Sequence, residues 1–173
     1  MKMDQMDVKE FDGVYRLLEN SFPLDEYRPY EEQKALLEEP AYRIYVLRNE
    51  TRQIAAMMAV WELETVSFIE HFAVDPALRG KGLGASMLEQ VRLLLEKPAC
   101  LEAELPENEI ACRRLRFYQR NGFFVNDYPY MQPPISKGRK PVPLKILTYG
   151  RPVSQEEFEE IRAVLYSRIY RCG

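Results

Sequence analysis

The chain has 173 residues, of which 46% are hydrophobic and 29% are charged, and its formal net charge is -3. This composition is typical of a soluble globular protein of one domain, and the acidic balance argues against general nucleic-acid binding. No apolar run approaches the roughly 20 residues of a membrane helix, and we expect no signal peptide. Three scattered cysteines predict neither a disulfide framework nor a metal site, so we expect a cytoplasmic protein with reduced thiols.

Hydrophobic spacing along the chain predicts alternating helices and strands. In the first half we expect helices over 7–20 and from Pro29 to before Pro40, and strands over 42–47, 54–61 and 65–74. In the second half we expect helices over 83–97, over 109–120 and from Ser154, and strands over 99–105, from Phe123 and over 144–149. Five prolines within 129–143 predict a long loop with a partial hairpin. This order favours an α/β or α+β domain.

The most distinctive stretch runs from Arg79 to Ala85, between a strand ending at Val74 and a predicted helix. Its three glycines stand at alternate positions, so they leave backbone N–H groups unshielded by side chains. Such groups at the start of a helix bind phosphate, and Arg79 and Lys81 add positive charge at the same place. The stretch therefore predicts a phosphorylated ligand.

A dinucleotide-binding reading of this stretch stays open as an alternative. Gly80, Gly82 and Ala85 have the loose spacing of that fingerprint, and Glu104 follows about 20 residues later. Against this reading, the strand ends at Val74, whereas the fingerprint places its first glycine directly at the strand end. A nicotinamide-dinucleotide-binding enzyme is therefore the less favoured reading.

Two motifs resemble signatures of the GCN5-related N-acetyltransferase (GNAT) superfamily. Arg79, Gly82 and Gly84 match the family's acyl-CoA loop, and Tyr118 with the later Gly122-Phe123 matches its second signature. The resemblance covers roughly residues 41–128. It implies a mixed, mostly antiparallel sheet of six to seven strands, flanked by helices and splayed between strands 66–74 and 99–105. It further implies one acetyltransferase domain over 1–173, with a core over about 41–150 and a C-terminal helical extension over 151–173.

The resemblance also implies acetyl-CoA as co-substrate, wedged into the gap between the two splayed strands. Tyr118 would protonate the departing CoA thiolate, although a plain aromatic anchor is its alternative reading. The family often has an asparagine that contacts CoA where this chain has Ala111, so Asn108 is a candidate replacement. The residues expected to bind acetyl-CoA are Phe72, Ala73, Val74, Arg79, Gly80, Lys81, Gly82, Leu83, Gly84, Ala85 and Asn108.

An amine acceptor is protonated near neutral pH and must lose a proton before it attacks a thioester. Glu70 is the first candidate for the base, because it lies on the strand that would bear the thioester, and Glu104 is the second. A structural or substrate-orienting role is the alternative for both. Strand alternation predicts that His71, the only histidine, faces away from Glu70 and has a structural role.

Acidic and aromatic residues on the central strands and nearby predict the acceptor. They are Glu62, Glu64, Glu70, Glu102, Glu104, Asp127, Tyr128 and Tyr130. A cleft lined by them would favour a cationic small-molecule or peptide amine, and solvated strand ends are the equal alternative. We thus predict an acetyl-CoA-dependent N-acetyltransferase acting by direct attack in a ternary complex, without metal, membrane or nucleic acid. A non-catalytic acyl-CoA-binding regulatory domain is the alternative, and the oligomeric state, including a homodimer, stays open.

Overall fold

The structure is a computed structural model that describes residues 1–172. Over that range it forms one seven-stranded sheet with the strand order β1-β2-β3-β4-β5-β7-β6. The strands are β1 (Asp4–Gln5), β2 (Tyr42–Arg48), β3 (Ile54–Glu62), β4 (Ser67–Val74), β5 (Ala99–Glu104), β6 (Phe123–Gln132) and β7 (Val142–Tyr149). Neighbouring strands pair antiparallel, except that β4 and β5 are parallel. The predicted fold class, a mixed and mostly antiparallel α+β sheet, is confirmed.

Within residues 1–172, five α-helices cover the two faces of this sheet. They are α1 (Phe11–Ser21), α2 (Tyr30–Ala35), α3 (Leu83–Arg92), α4 (Glu109–Arg120) and α5 (Gln155–Arg168). Side chains of α1 and α5 share one buried cluster with residues of β2, β3 and β4, whereas α3 and α4 contribute to the cluster on the other face. Helix α1 ends at Ser21 because Phe22 is extended (φ -127°, ψ 148°), as expected before Pro23.

The C-terminal helix begins at the predicted capping box. The Ser154 hydroxyl accepts from the Glu157 N–H at 3.1 Å, and the Ser154 N–H donates to the Glu157 carboxylate at 3.0 Å. Its apolar side chains Phe158, Ile161 and Leu165 are buried in the same cluster as α1. Helix α5 therefore closes one face of the sheet, and it brings the following Tyr170 back toward β5.

The two central strands separate partway along their length. Only Ser67–Ile69 of β4 pairs with Ala99–Leu101 of β5, although β4 continues to Val74 and β5 to Glu104. Beyond that pairing a gap opens between the strands, and in the described part of the chain no strand pairs with the backbone edges that face it. The predicted splay is confirmed, and it lies where the glycine turn begins.

A β-bulge in β4 lies at the start of the gap. Ala59 of β3 pairs with His71 and the next residue, Val60, pairs with Ile69, so Glu70 has no partner on β3. The extra residue breaks the alternation of side chains, and both Glu70 and His71 face α1 and the segment that follows it. The prediction that His71 faces away from Glu70 is therefore wrong.

The proline-rich region contains more strand than its composition indicates. Strand β6 continues to Gln132 and β7 begins at Val142, so the loop is only 133–141. Pro129 is tolerated because β6 is an edge strand whose pairing with β7 is interrupted between Asn126 and Tyr130. A residue without an N–H costs no ladder hydrogen bond at such a place. The predicted partial hairpin is confirmed, but the long loop is wrong.

Candidate active site

The glycine turn forms an open donor surface at the start of α3. The first helical hydrogen bond runs from the Ser86 N–H to the Gly82 carbonyl at 3.1 Å, so the preceding N–H groups of the helix remain free of helical partners. The structure over 1–172 shows no side chain that caps this end of α3. Gly80 and Gly82 have φ values of 80° and 77°, in the left-handed region that favours glycine. A Cβ at either would meet no atom within 4 Å, so the space above the turn is open.

Gly84 has a different reason to be glycine. A Cβ there would lie 3.3 Å from Cζ of Phe117 on α4 and 3.7 Å from Cζ of Phe72 on β4. The missing side chain therefore allows α3 to begin close to both elements. This close approach brings the backbone N–H groups of the glycine turn next to the free edge of β4 at Phe72, Ala73 and Val74.

Tyr118 lies on α4, half-buried between aromatic rings. Its ring centroid is 5.4 Å from that of Phe117 and 5.8 Å from that of Phe123. Burial raises the pKa of Tyr118 to about 12, with Arg114 lowering it and Glu104 raising it further. The phenol is thus protonated at neutral pH, as the predicted acid must be. The charged neighbours of the ring also place it near the β5 side of the gap.

Glu104 extends from β5 and forms an ion pair with the Arg114 guanidinium of α4. The same guanidinium donates to the Ser21 carbonyl at 3.3 Å, so Arg114 connects α4 and β5 with the end of α1. Glu104 therefore lies beside the gap as predicted, but a cation already neutralises it.

Glu70, the first candidate for the base, is buried and fully engaged. Its carboxylate accepts two hydrogen bonds from the Arg28 guanidinium, at 3.1 and 2.7 Å, and one from the Trp61 indole at 3.0 Å. Burial alone would raise the pKa of Glu70, but Arg28, the neighbouring His71 and these hydrogen bonds hold the pKa below its ordinary value. A weakly basic, ion-paired carboxylate is a poor proton acceptor, so the geometry does not favour Glu70 in that role.

His71 connects the β4 bulge to the segment between α1 and α2. Its Nε2–H donates to the Glu26 carbonyl at 2.7 Å, and its ring packs edge-on against Phe22 at 5.0 Å. Among residues 1–172 Nδ1 finds no hydrogen-bond partner, and it lies 3.9 Å from the Glu70 carboxylate. Burial lowers the pKa of His71, so the ring is neutral at physiological pH. His71 therefore has a structural role, since it holds the segment after α1 against β4.

The segment 22–29 supplies two residues that sequence patterns did not single out. Arg28 is only 5% exposed and is the partner of Glu70, and Glu26 lies on the short turn Leu24–Glu26. Burial and the nearby Glu104 raise the pKa of Glu26 to about 7, although Arg114 lowers it in part. The aromatic neighbours of Arg28 in the sequence, Tyr27 and Tyr30, were the only local signal that this cation is buried.

Glu102 of β5 lies in the interior, beside Tyr170, which follows α5. It accepts hydrogen bonds from the Tyr130 hydroxyl and, at 2.7 and 2.8 Å, from the Tyr170 hydroxyl that follows α5. Burial raises the pKa of Glu102 to about 7, with the two phenols lowering it and the Glu70 and Glu26 carboxylates raising it. Glu102 and Glu104 therefore share one face of β5, as their spacing predicts.

Other predicted acceptor residues lie away from the gap. Glu62 accepts from the Ser67 hydroxyl at 2.6 Å, at the paired end of β4, and Glu64 pairs with Arg168 of α5. Exposed Asp127 pairs with Lys145, and the Tyr128 hydroxyl donates to the Val153 carbonyl at 3.1 Å. Glu64 and Asp127 belong to ion pairs, Glu62 bonds the start of β4 and Tyr128 bonds the segment before α5, so the predicted acidic cleft is smaller than the sequence suggests.

The loop 133–141 and the end of β6 hold the segment 22–29 in place. The Gln132 amide donates to the Asp25 carbonyl at 3.1 Å, and the Lys140 N–H donates to the Asp25 carboxylate at 2.9 Å. The Arg139 guanidinium donates to the Tyr27 carbonyl at 3.2 Å. Both flanks of Glu26 are thus fixed by the β6–β7 connection.

Asn108 has a structural task at the start of α4. Its side-chain oxygen accepts from the Ala111 N–H at 2.8 Å, which caps the helix. This use of the oxygen explains the residue without any ligand. In residues 1–172 no group of three or more His, Cys, Asp or Glu side chains is placed to hold a metal ion. Over the same residues, no helix has the length and apolar character needed to span a membrane.

Comparison with known proteins finds similarity to acetyltransferases. A family model described as an acetyltransferase (GNAT) domain matches residues 40–124. The chain is similar to the structure of a GNAT-family protein from Bacteroides thetaiotaomicron, with 29% identity, a TM-score of 0.89 and 100% of both chains covered. The comparison with curated proteins gives no match.

Two less similar structures share the fold. One is a variant of spermidine N-acetyltransferase from Vibrio cholerae, with 14% identity, a TM-score of 0.63, and 86% of this chain and 94% of that chain covered. The other is an aminoglycoside 6'-N-acetyltransferase complexed with coenzyme A, with 13% identity, a TM-score of 0.67, and coverage of 90% and 100%.

Proposed function

Because the chain belongs to the GNAT acetyltransferase family, we propose that it transfers an acetyl group from acetyl-CoA to a primary amine. The observation that carries the proposal is the open donor surface of Gly80–Ala85 beside the gap between β4 and β5. The two features adjoin, because Gly84 of the turn lies close to Phe72 on the edge of β4 that faces the gap. They suit a ligand with a pyrophosphate at one end, for the donor surface, and a flexible arm at the other, for the gap.

The donor's phosphates would bind to backbone N–H groups from Gly80 to Ala85, with Arg79 and Lys81 supplying exposed positive charge. The pantetheine arm would follow the free edge of β4 along Phe72, Ala73 and Val74. Its thioester would then lie near the bulge at Glu70, within the same gap. We leave Asn108 out of this contact set, since capping α4 accounts for it.

Transfer would proceed by direct attack in a ternary complex. The neutral amine attacks the thioester carbonyl carbon, a C–N bond forms, and the C–S bond breaks with its electron pair remaining on sulfur. Tyr118 is the proposed proton donor to that thiolate, because its phenol keeps its proton at neutral pH. A backbone N–H on the free edge of β4 would stabilise the developing oxyanion.

The acceptor is proposed to be a cationic small-molecule or peptide amine. Carboxylates of Glu26, Glu102 and Glu104 lie around one side of the gap, with the Tyr170 hydroxyl among them. The named activities of two structures with this fold concern spermidine and aminoglycosides, which are amines, and they support this choice. A cytoplasmic location stays a prediction from the cysteine content.

Binding and turnover together test this proposal. We expect acetyl-CoA and CoA, but not NAD, to raise the melting temperature, since a ligand that binds only the folded state stabilises it. Release of free thiol from acetyl-CoA should then require an added amine, with spermidine, an aminoglycoside and a peptide with a free N-terminus as probes. No stabilisation by acetyl-CoA at high excess would overturn the proposal. Binding without thiol release for any amine would instead favour a regulatory acyl-CoA-binding domain.

A further inference from the structure

We propose that Glu26 is the carboxylate that takes the proton from the acceptor's ammonium group. The inference rests on the proposed acetyl transfer. It assigns the general base, a role for which the predicted candidates Glu70 and Glu104 are not free, since each is paired with an arginine. Glu26 lies on the turn Leu24–Glu26 between α1 and α2, where its carbonyl accepts from His71 of the β4 bulge and its carboxyl lies near Glu104 of β5 and Arg114 of α4.

The backbone around Glu26 is held from three directions. His71 of the β4 bulge donates to the Glu26 carbonyl itself at 2.7 Å. On the N-terminal side, Asp25 is bound by the end of β6 and by the loop 133–141. On the C-terminal side, Arg28 is paired with Glu70, and its carbonyl accepts from the Tyr15 hydroxyl at 2.7 Å. A side chain on such a fixed turn has a defined position relative to β4.

Glu26 differs from the other carboxylates around the gap in having no committed partner. Glu70 is paired with Arg28, Glu104 with Arg114, and Glu102 accepts from two phenols. In the part of the chain that the structure describes, charged neighbours act on the Glu26 carboxylate only through space. Its oxygen atoms are therefore free to accept a proton from a substrate.

Its surroundings also suit a base that works near neutral pH. Burial raises the pKa of Glu26 most, Glu104 of β5 and Asp25 of its own turn raise it further, and Arg114 of α4 lowers it, giving about 7. The remaining ionisable neighbours are Glu102 of β5 and the neutral ring of His71 on β4. General bases are most effective when their pKa lies close to the working pH.

The proton balance is complete with residues of this chain. The acceptor's ammonium gives its first proton to Glu26, and the neutral amine forms the C–N bond as the C–S bond breaks. Tyr118 protonates the thiolate, and the second proton lost by the amine nitrogen restores the Tyr118 phenol through solvent. Glu26 then releases its proton to solvent, so each turnover yields amide, CoA thiol and one free proton.

Replacing Glu26 with glutamine tests the assignment, because the amide keeps the shape but cannot accept the proton. We expect Glu26→Gln to lower kcat by about 10²- to 10⁴-fold, with the dissociation constant for acetyl-CoA unchanged. The acidic limb of the kcat/KM profile near pH 7, which reports the free enzyme, should disappear with it. Glu31→Gln, which removes the same charge from an exposed position on α2, is the control and should keep wild-type kinetics.

The outcomes separate this inference from the proposed function. If the wild type is active with one probe amine and Glu26→Gln retains more than about a tenth of its kcat, Glu26 is not the base. If the wild type binds acetyl-CoA but acetylates no amine, the proposed function fails and the assignment fails with it. A 13C NMR titration of glutamate carboxyl groups, with the Glu26 signal identified by its loss in Glu26→Gln, gives a second test. A midpoint near 7 supports the assignment, and a midpoint below about 5 overturns it.

Discussion

Replacing Glu70 with leucine while leaving Arg28 in place should destabilise the fold far more than an ordinary substitution. The two side chains are 2% and 6% exposed, so the variant leaves a guanidinium buried without its counter-charge. Arginine cannot escape this cost by releasing its proton. Breaking one partner out of a buried pair typically costs about 3–5 kcal/mol, which is a large part of a domain's total stability of roughly 5–15 kcal/mol.

The double variant Arg28→Met/Glu70→Leu separates the loss of the pair from the loss of one partner. It leaves no buried charge, although the Trp61 indole and the Gln33 amide lose a partner. We therefore expect the double variant to regain stability relative to Glu70→Leu, with a coupling energy of about 3 kcal/mol across the cycle. The exposed pair Arg151–Glu157 is the matched control, and its coupling should be much smaller because solvent screens it.

Urea unfolding measures these differences. Trp61 is the only tryptophan and donates to Glu70, so its fluorescence reports the site, and circular dichroism provides an independent probe. The midpoint should fall in Glu70→Leu with the slope unchanged. A coupling energy below about 1 kcal/mol would refute the view that this pair holds the segment 22–29 against β4.

Acid should remove part of the same contribution. The folded-state pKa of Glu70 lies below its ordinary value of 4.5, so the carboxylate's stabilisation is fully present above pH 4.5. It is lost as the pH falls through the lower folded-state pKa. The stability difference between the wild type and Glu70→Leu should therefore narrow below about pH 4.5, and a difference that persists unchanged there would contradict this linkage.

Three further substitutions test the remaining assignments. Tyr118→Phe should lower kcat while the dissociation constant for acetyl-CoA, measured by calorimetry, stays unchanged; wild-type turnover would remove Tyr118 from the acid role. Asn108→Ala should lower the free energy of unfolding by about 1 kcal/mol through loss of the cap, and a large loss of acetyl-CoA affinity would show that Asn108 also binds the donor. Glu102 in the folded protein has a pKa of about 7 against 4.5 ordinarily, so stability should fall by roughly 3 kcal/mol as the pH rises between those values. Glu102→Gln should flatten that slope in urea titrations, and an unchanged slope would assign it elsewhere.

The elements that the sequence predicts well are those set by local pattern. Short apolar runs mark β2, β3 and β4, and the glycines at 80, 82 and 84 mark the turn before α3. Two of these glycines adopt positive φ, and the third makes a close contact with Phe117, so residue type alone carried the information. The capping box at Ser154 was likewise readable from residue type and spacing.

The errors have tertiary causes. Alternation along β4 fails because one bulge residue, Glu70, shifts every later side chain by one position. Arg28 and Glu26 belong to an irregular segment without periodicity, and their burial depends on contacts with β4, β5 and the loop 133–141. Part of the proline-rich region is strand because β6 is an edge strand, a fact of topology that composition does not contain.

The charge balance around the gap favours a cationic acceptor. Two arginines, Arg28 and Arg114, neutralise Glu70 and Glu104. Within residues 1–172 Glu26 and Glu102 form no ion pair, and Glu26 opposes ionisation of Glu102. Holding two such carboxylates ionised together is unfavourable near neutral pH, and a neutral ligand would gain nothing from them. An ammonium group supplies the missing positive charge and lowers the pKa of both carboxyls. Its binding therefore favours release of a proton from one of them to solvent before transfer. Acceptor affinity should therefore rise with pH through the range in which these two groups titrate together.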